Sequence, residues 1–183
     1  MSVVELPNED SEFQDSGNQK GGYQNKIAIA FHADVQTWPT FGASAAQGAT
    51  EADNLLSTTG NIALKTGKRF SKHESFNDKI DCETKNIEGS KSYETVVKMT
   101  LQKTTRNRAI VDKWIGSRLV LVVFPSEGDP ELLGNQKFYV TAMSPSIKGG
   151  SQSDANKSIE VEFKFKPDAP VAYPGTVSYT PAV

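Results

Sequence analysis

A single cysteine, Cys82, stands in a chain of 183 residues. That excludes an internal disulfide framework and suits a reducing compartment. Histidine is almost as scarce. His32 and His73 are the only two, and neither has a companion at metal-ligand spacing, whereas zinc needs several donors converging at about 2.0–2.3 Å. No apolar run approaches the roughly 20 residues of a membrane-spanning helix; the longest is Leu119 to Phe124. The first residues hold neither a basic stretch nor an apolar one behind it, so no secretory leader is expected. Excess charge is missing too. The net charge is -2 and the pI lies near 5.7, so the whole chain has no electrostatic reason to hold nucleic acid tightly. Hydrophobic residues at 37% and a mean hydropathy of -0.46 fit one core carrying much polar loop. These absences lead to the expectation of a soluble, cytoplasmically made protein of one domain with extensions.

What is present is alternation. In Ser158-Ile159-Glu160-Val161-Glu162-Phe163-Lys164-Phe165-Lys166 four apolar residues alternate strictly with charged ones, the pattern of a strand with one apolar and one charged face. Ile27, Ile29 and Phe31 alternate with Ala28, Ala30 and His32. Tyr93, Thr95, Val97, Met99 and Leu101 share one face of a longer strand, with Glu94, Lys98, Thr100 and Gln102 opposite and Val96 as the exception. Arg118 to Phe124 is continuously apolar after its first residue, as a strand covered on both faces would be. The turn residues Ser126 to Pro130 follow, and Lys137 to Met143 reads as a further strand.

One helix interrupts the strands. From Thr105, residues Ala109, Ile110, Lys113, Trp114 and Ile115 recur at helical spacing, with Thr104 or Thr105 as cap and Gly116 as stop. Ile110 and Trp114 share a face with Ala109 beside them, so this helix is expected to close one end or side of a sheet sandwich. Residues 1–24 carry Glu5, Glu9, Asp10, Glu12 and Asp15 against Lys20 alone and read as an acidic, flexible arm. Residues 34–60, rich in Ala, Gly, Ser and Thr from 41 onward, hold no convincing strand there and read as a long interaction loop. Residues 167–183, with Pro167, Pro170, Pro174 and Pro181, read as an extended C-terminal arm. The expected fold is therefore mainly β, a two-sheet sandwich or barrel over 25–166 with one flanking helix and extended terminal arms.

No set of residues reads as catalytic. His32, on a strand face beside small alanines, is expected to be an ordinary packed or interface histidine. Cys82 sits between Asp81 and Glu83, whose charge would raise rather than lower a thiol pKa. Asp78, Asp81 and Glu83 lack the spacing of a twelve-residue calcium loop. Gly60 through Gly67-Lys68 is spaced too widely for a phosphate loop, with Arg69 where Ser or Thr should bind magnesium. Lys65, Lys68, Arg69 and Lys72 make a local basic patch that could meet acid, including a neighbour's acidic arm. Glu160 and Glu162 stand about 7 Å apart by strand rise, a spacing that would admit glycosidase chemistry. Alternating carboxylates on a strand are more often a solvated or interface face. Neither an enzyme nor a bound metal or cofactor is expected.

The order of these elements resembles the tail tube (major tail) proteins of tailed bacteriophages and related injection machines. The resemblance rests on the strand Lys26 to Phe31, the long loop after it, and Gly60 to Leu64 leading into Gly67 to Phe70. It continues through the strand Tyr93 to Leu101, the helix near Trp114, the hairpin Val120 to Tyr139, and the final amphipathic strand with its Pro-rich extension. It covers about residues 25–170. It implies a β-sandwich whose subunits close into hexameric rings, with neighbouring sheets lining a pore and stacked rings conducting DNA. The partners would be the chain itself, tape measure and tail terminator proteins, and DNA in transit, in a virion tail assembled in the bacterial cytoplasm. Glu94, Glu160 and Glu162 become lumen candidates, on the expectation of a mildly acidic pore that repels phosphates. Lys65, Lys68, Arg69 and Lys72 become inter-subunit candidates. A head–tail joining or tail terminator protein of the same particle is the near alternative. A stand-alone β-sandwich binding module, for instance for carbohydrate, is the alternative from another class. It would need exposed aromatics, of which Trp38 and Tyr93 are the plausible ones. A small hydrolase is disfavoured by the failed search for a site.

Overall fold

Ile159, Val161, Phe163 and Phe165 are all buried, while Glu160, Glu162 and Lys164 between them are half-exposed. The alternation is thus a strand, and it is one of many. The computed structural model describes residues 22–41, 58–75, 80–90, 92–149 and 157–182. In chain order the elements begin with β1 (Tyr23–Phe31), a 3-10 turn (His32–Asp34), β2 (Val35–Thr37) and β3 (Thr40–Phe41). Next come β4 (Thr58–Thr59), β5 (Ala63–Leu64), β6 (Ser71–Glu74), β7 (Ile80–Asn86) and β8 (Tyr93–Gln102). The helix α1 (Thr105–Trp114) leads into β9 (Arg118–Pro125), β10 (Glu131–Leu133), β11 (Val140–Ala142) and β12 (Ser146–Lys148). The last strands are β13 (Ser158–Phe165) and β14 (Val171–Ala172). Among the described residues the protein is mainly β with one α-helix, as the patterns indicate.

Ten strands form a single antiparallel sheet with the path β14-β10-β9-β11-β13-β8-β7. On its other edge β9 pairs β1, which pairs β6, while β12 extends alongside β13. The sheet folds over on itself. Ser75, just after β6, donates its Oγ to the Thr100 carbonyl of β8 at 3.2 Å, and the Thr100 amide donates to the same Oγ at 3.3 Å. Between the two halves lies the main core, with Ile27 and Ile29 of β1 and Leu119, Leu121 and Val123 of β9. Val97 and Met99 of β8 and the four apolar residues of β13 complete it. The helix closes one end. Thr104 caps it, its side chain accepting from the Asn107 amide at 3.1 Å. Trp114 packs on Phe163 with ring centroids 5.5 Å apart. The buried helix residues are Val111 and Trp114; Ile110 is only partly buried and Ala109 is exposed. The inward face is therefore rotated from the expected one, because the sheet receives the helix along Val111 and Trp114.

A second core covers the opposite face of β1 and β9. There Ala28, Ala30, Val120 and Val122 meet Ile62, Leu64, Phe70 and Tyr173. This is why Leu119 to Val123 is apolar without interruption: both faces are dry. The covering layer comes from the segment after β4 and from the C-terminal stretch. Residues 167–182 are extended as expected, but they lie on their own subunit rather than projecting from it. Val171 and Ala172 pair with β10. Tyr173 is 0% exposed, and its hydroxyl accepts from the Ile62 amide at 3.0 Å and donates to the Thr176 carbonyl at 3.1 Å. The Gly67 amide donates to the Ala182 carbonyl at 2.8 Å, and the Ala182 amide returns to the Lys68 carbonyl at 2.9 Å.

Two other expectations are corrected. Lys137 to Met143 is a strand only over Val140–Ala142, because the Asn135 side chain accepts from the amides of Lys137 and Phe138, both at 2.9 Å, and bends the chain. Within 34–60, β2 pairs β5 and β3 pairs β4, so both ends of the loop are strand-paired. Residues 42–57 and the bulk of the acidic segment, 1–21, lie outside the described residues.

Tyr173 supplies the test of the second core. Tyr173→Ala is expected to cost about 3–5 kcal/mol in urea unfolding. Tyr173→Phe, which removes only the hydroxyl, should cost about 1–2 kcal/mol. Gly175→Ala should also destabilise, since an added Cβ would sit 2.6 Å from Tyr173 Cζ and 2.7 Å from Asn61 Oδ1.

Candidate assembly surfaces

The half of the sheet that no second layer covers among the described residues is the outer face of β7, β8, β13 and β12. Register brings its charges together. Glu162 stands directly opposite Lys98, and Lys98 opposite Asp81 on the other side. Lys98 Nζ lies 3.2 Å from a Glu162 oxygen. Glu160 is paired with Lys148 of β12. Glu94 is paired with Lys166 and lies 3.9 Å from Lys164 Nζ. A hydrogen bond from Lys166, helped by the charge of Lys164, holds the Glu94 carboxyl below the usual range. The three lumen candidates therefore do share one face. The acidic surplus expected of it is absent: Asp81, Glu83, Glu94, Glu160 and Glu162 are matched by Lys85, Lys98, Lys148, Lys164 and Lys166. Alternation already places Lys164 and Lys166 beside Glu160 and Glu162, and Lys98 beside Glu94; register between strands shows which lysine meets which carboxylate and adds Lys148 and Lys85. Each pair is half in water, so each adds at most about 1 kcal/mol to stability.

The four inter-subunit candidates all find contacts within the chain. Lys65 donates to the Ala33 carbonyl at 2.7 Å, and Lys68 pairs with Asp34 at 3.2 Å. Both tie the segment after β5 to the 3-10 turn. Arg69 reaches the Tyr179 carbonyl at 3.5 Å, and Lys72 pairs with Glu74 at 2.5 Å. Arg69 and Lys72 also line a cleft of about 460 Å³ together with Arg106 and Lys113 of the helix. That grouping was missed in the sequence. The helical spacing of 106 and 113 was the available signal, but nothing local tells that the helix lies beside β6.

The titratable groups behave as structural parts. His32 Nε2 lies 2.8 Å from the Asn135 carbonyl, and its ring sits 5.0 Å from that of Trp38. His73 packs edge-on against Trp114 at 4.8 Å, and burial lowers its imidazole pKa to about 4. Cys82 is pushed up to about 11, chiefly by burial and secondarily by the Glu131 charge, against a hydrogen bond with Tyr23. The direction matches expectation but the cause differs. Asp81 and Glu83 point to the other face of β7, as strand neighbours must. Tyr23 donates to Glu131 at 2.9 Å, and burial raises its hydroxyl pKa further still. Asp78 lies outside the described residues. Among the described residues no group of three or more His, Cys, Asp or Glu side chains could hold a metal ion, and no helix is long and apolar enough to cross a membrane.

A cleft of about 770 Å³ brings together Trp38, Tyr93 and Phe138 with Asn135 and Asp168. Asn135 Nδ2 donates to Asp168 Oδ2 at 2.9 Å, so that polar wall is braced from within. Comparison with protein-family models, with curated proteins and with solved structures finds no match to this chain.

His73 gives a pH prediction. Its folded pKa lies below the unfolded value, so the unfolded chain takes up the proton first. The stability it contributes is complete above about pH 6.5 and is lost as pH falls toward 4. The loss should reach about 3 kcal/mol, and His73→Phe should flatten that part of the profile of unfolding free energy against pH.

Proposed function

We propose that this chain is a structural subunit that closes into hexameric rings and stacks them into a tail tube of the bacteriophage type, a passive conduit for DNA. The observation that carries this reading is the uncovered outer face of β7, β8, β13 and β12. It is a hydrogen-bonded four-strand surface, open among the described residues, whose charges are already neutralised in pairs. Such a surface is costly to bury against apolar groups and well suited to border water. A balanced lumen also avoids holding phosphates, since DNA affinity scales with the cations offered to it. Glu94, Glu160 and Glu162 line the pore in this reading, with their lysines beside them. Rings require a heterologous contact whose rotation closes, and stacking them gives an open filament. The partners are then further copies, tape measure and terminator proteins, and the locale is the virion tail.

One observation favours a second reading, a glycan-binding β-sandwich. Trp38 and Tyr93, distant in sequence, line one cleft of about 770 Å³ together with Asp168, and aromatic faces beside a carboxylate suit sugar rings.

Light scattering with negative-stain imaging of the purified full chain separates the two. Rings or tubes are expected; a strict monomer at high concentration that binds glycans tightly would sink the tail reading. Glu160→Lys with Glu162→Lys should leave the thermal midpoint within about 2–4 °C of the parent while changing ring or tube formation. Unchanged assembly would mean that this face merely meets water.

A further inference from the structure

We infer that the cleft between α1 and β6 seats the acidic N-terminal segment, residues 1–21, of a second copy of this chain. The cleft is cationic at its rim and apolar at its floor. Arg69, Lys72, Arg106 and Lys113 stand around Phe31 and Trp114, and among the described residues no carboxylate lines it. Lys72 is shared with Glu74 and Arg69 with a carbonyl, but Arg106 and Lys113 have no ion-pair partner among the described residues. His73 in the same wall is held neutral by burial and adds no charge. Phe31 is 38% exposed, a large apolar side chain left facing solvent at this mouth.

The matching chemistry lies in the chain itself. Residues 1–21 carry Glu5, Glu9, Asp10, Glu12 and Asp15 against Lys20 alone, with Val3, Val4, Leu6 and Phe13 among them. An acidic segment with apolar anchors fits a basic rim over an apolar floor. The geometry favours another copy as its source. β1 runs from Tyr23 to Phe31, and the cleft flanks its second half, from His73 opposite Ile27 to Phe31 itself, so the segment joins the body about 13–27 Å from the lining residues by strand rise. To enter the cleft, its own segment would have to reverse direction at Tyr23 and run back alongside β1. A neighbour's need not. This inference rests on the self-association reading for the copy that supplies the segment, not on the form the assembly takes.

The test uses full-length chains carrying Cys82→Ser. One population bears Ser11→Cys in the segment, the other Ala109→Cys, at an exposed helix position beside Arg106 and Lys113. Oxidation of the mixture should give a mixed covalent dimer. Arg106→Glu with Lys113→Glu on the helix partner should lower its yield about tenfold. Glu9→Lys with Glu12→Lys on the segment partner should do the same, and the two reversals together should restore it. Restoration also shows that both variants fold. Yields indifferent to either reversal would overturn the inference. So would a chain bearing both cysteines that closes on itself in place of the dimer. So, too, would loss of binding to a labelled DNA duplex on Arg106→Glu/Lys113→Glu with the dimer unaffected, which would assign the cleft to nucleic acid. Rings without the mixed dimer would leave the tail reading standing and this inference failed; the mixed dimer without rings would do the reverse.

Discussion

Strand β9 is the constraint on which the rest of this molecule depends. It is hydrogen-bonded along both edges, to β1 on one side and to β10 and β11 on the other. It is also dry on both faces, with Leu119, Leu121 and Val123 in the main core and Val120 and Val122 in the second. Five consecutive residues at 0% exposure leave no position where a polar side chain could be accommodated without losing its hydrogen bonds to water. Both cores therefore meet at β9, and the two layers that bury it, the folded-over sheet and the C-terminal stretch, are held in place by it.

That arrangement divides the outer surface of the sheet in two. Over β1 and β9 the C-terminal residues and the segment after β4 provide a cover, anchored by Tyr173 and its hydroxyl bridge between Ile62 and Thr176. Over β8 and β13 nothing among the described residues lies on the sheet, and paired charges take the place of a cover. The proposed assembly role follows from this division. Among the described residues the sheet beneath the cover is out of a partner's reach, whereas the charged half, the helix-side cleft and the aromatic cleft are open.

Much of the fold was legible. The strict alternation of Ile159 to Phe165, the unbroken run of Leu119 to Phe124 and the Thr104-to-Gly116 frame of the helix each carry a local physical signature, and each element is found close to where its signature lies. The misreadings share a cause. The helix faces inward through Val111 rather than Ala109 because the receiving sheet sets its rotation. Residues 137–139 leave the strand because one side chain, Asn135, claims the amides of Lys137 and Phe138. The Pro-rich stretch, read as a free arm, is instead a covering layer, since proline content says that a segment is extended but not what it lies against.

The candidate surface divides the same way. Which residues of a strand face outward is a matter of period two, and the sequence by itself determined that Glu94, Glu160 and Glu162 lie opposite the apolar core. Which cation meets each carboxylate depends on neighbouring strands, because Lys98 reaches Glu162 from β8 and Lys148 reaches Glu160 from β12 by register. Local pattern specifies the faces of an element; only pairing and packing decide what each face meets, since those contacts join residues that no periodicity links.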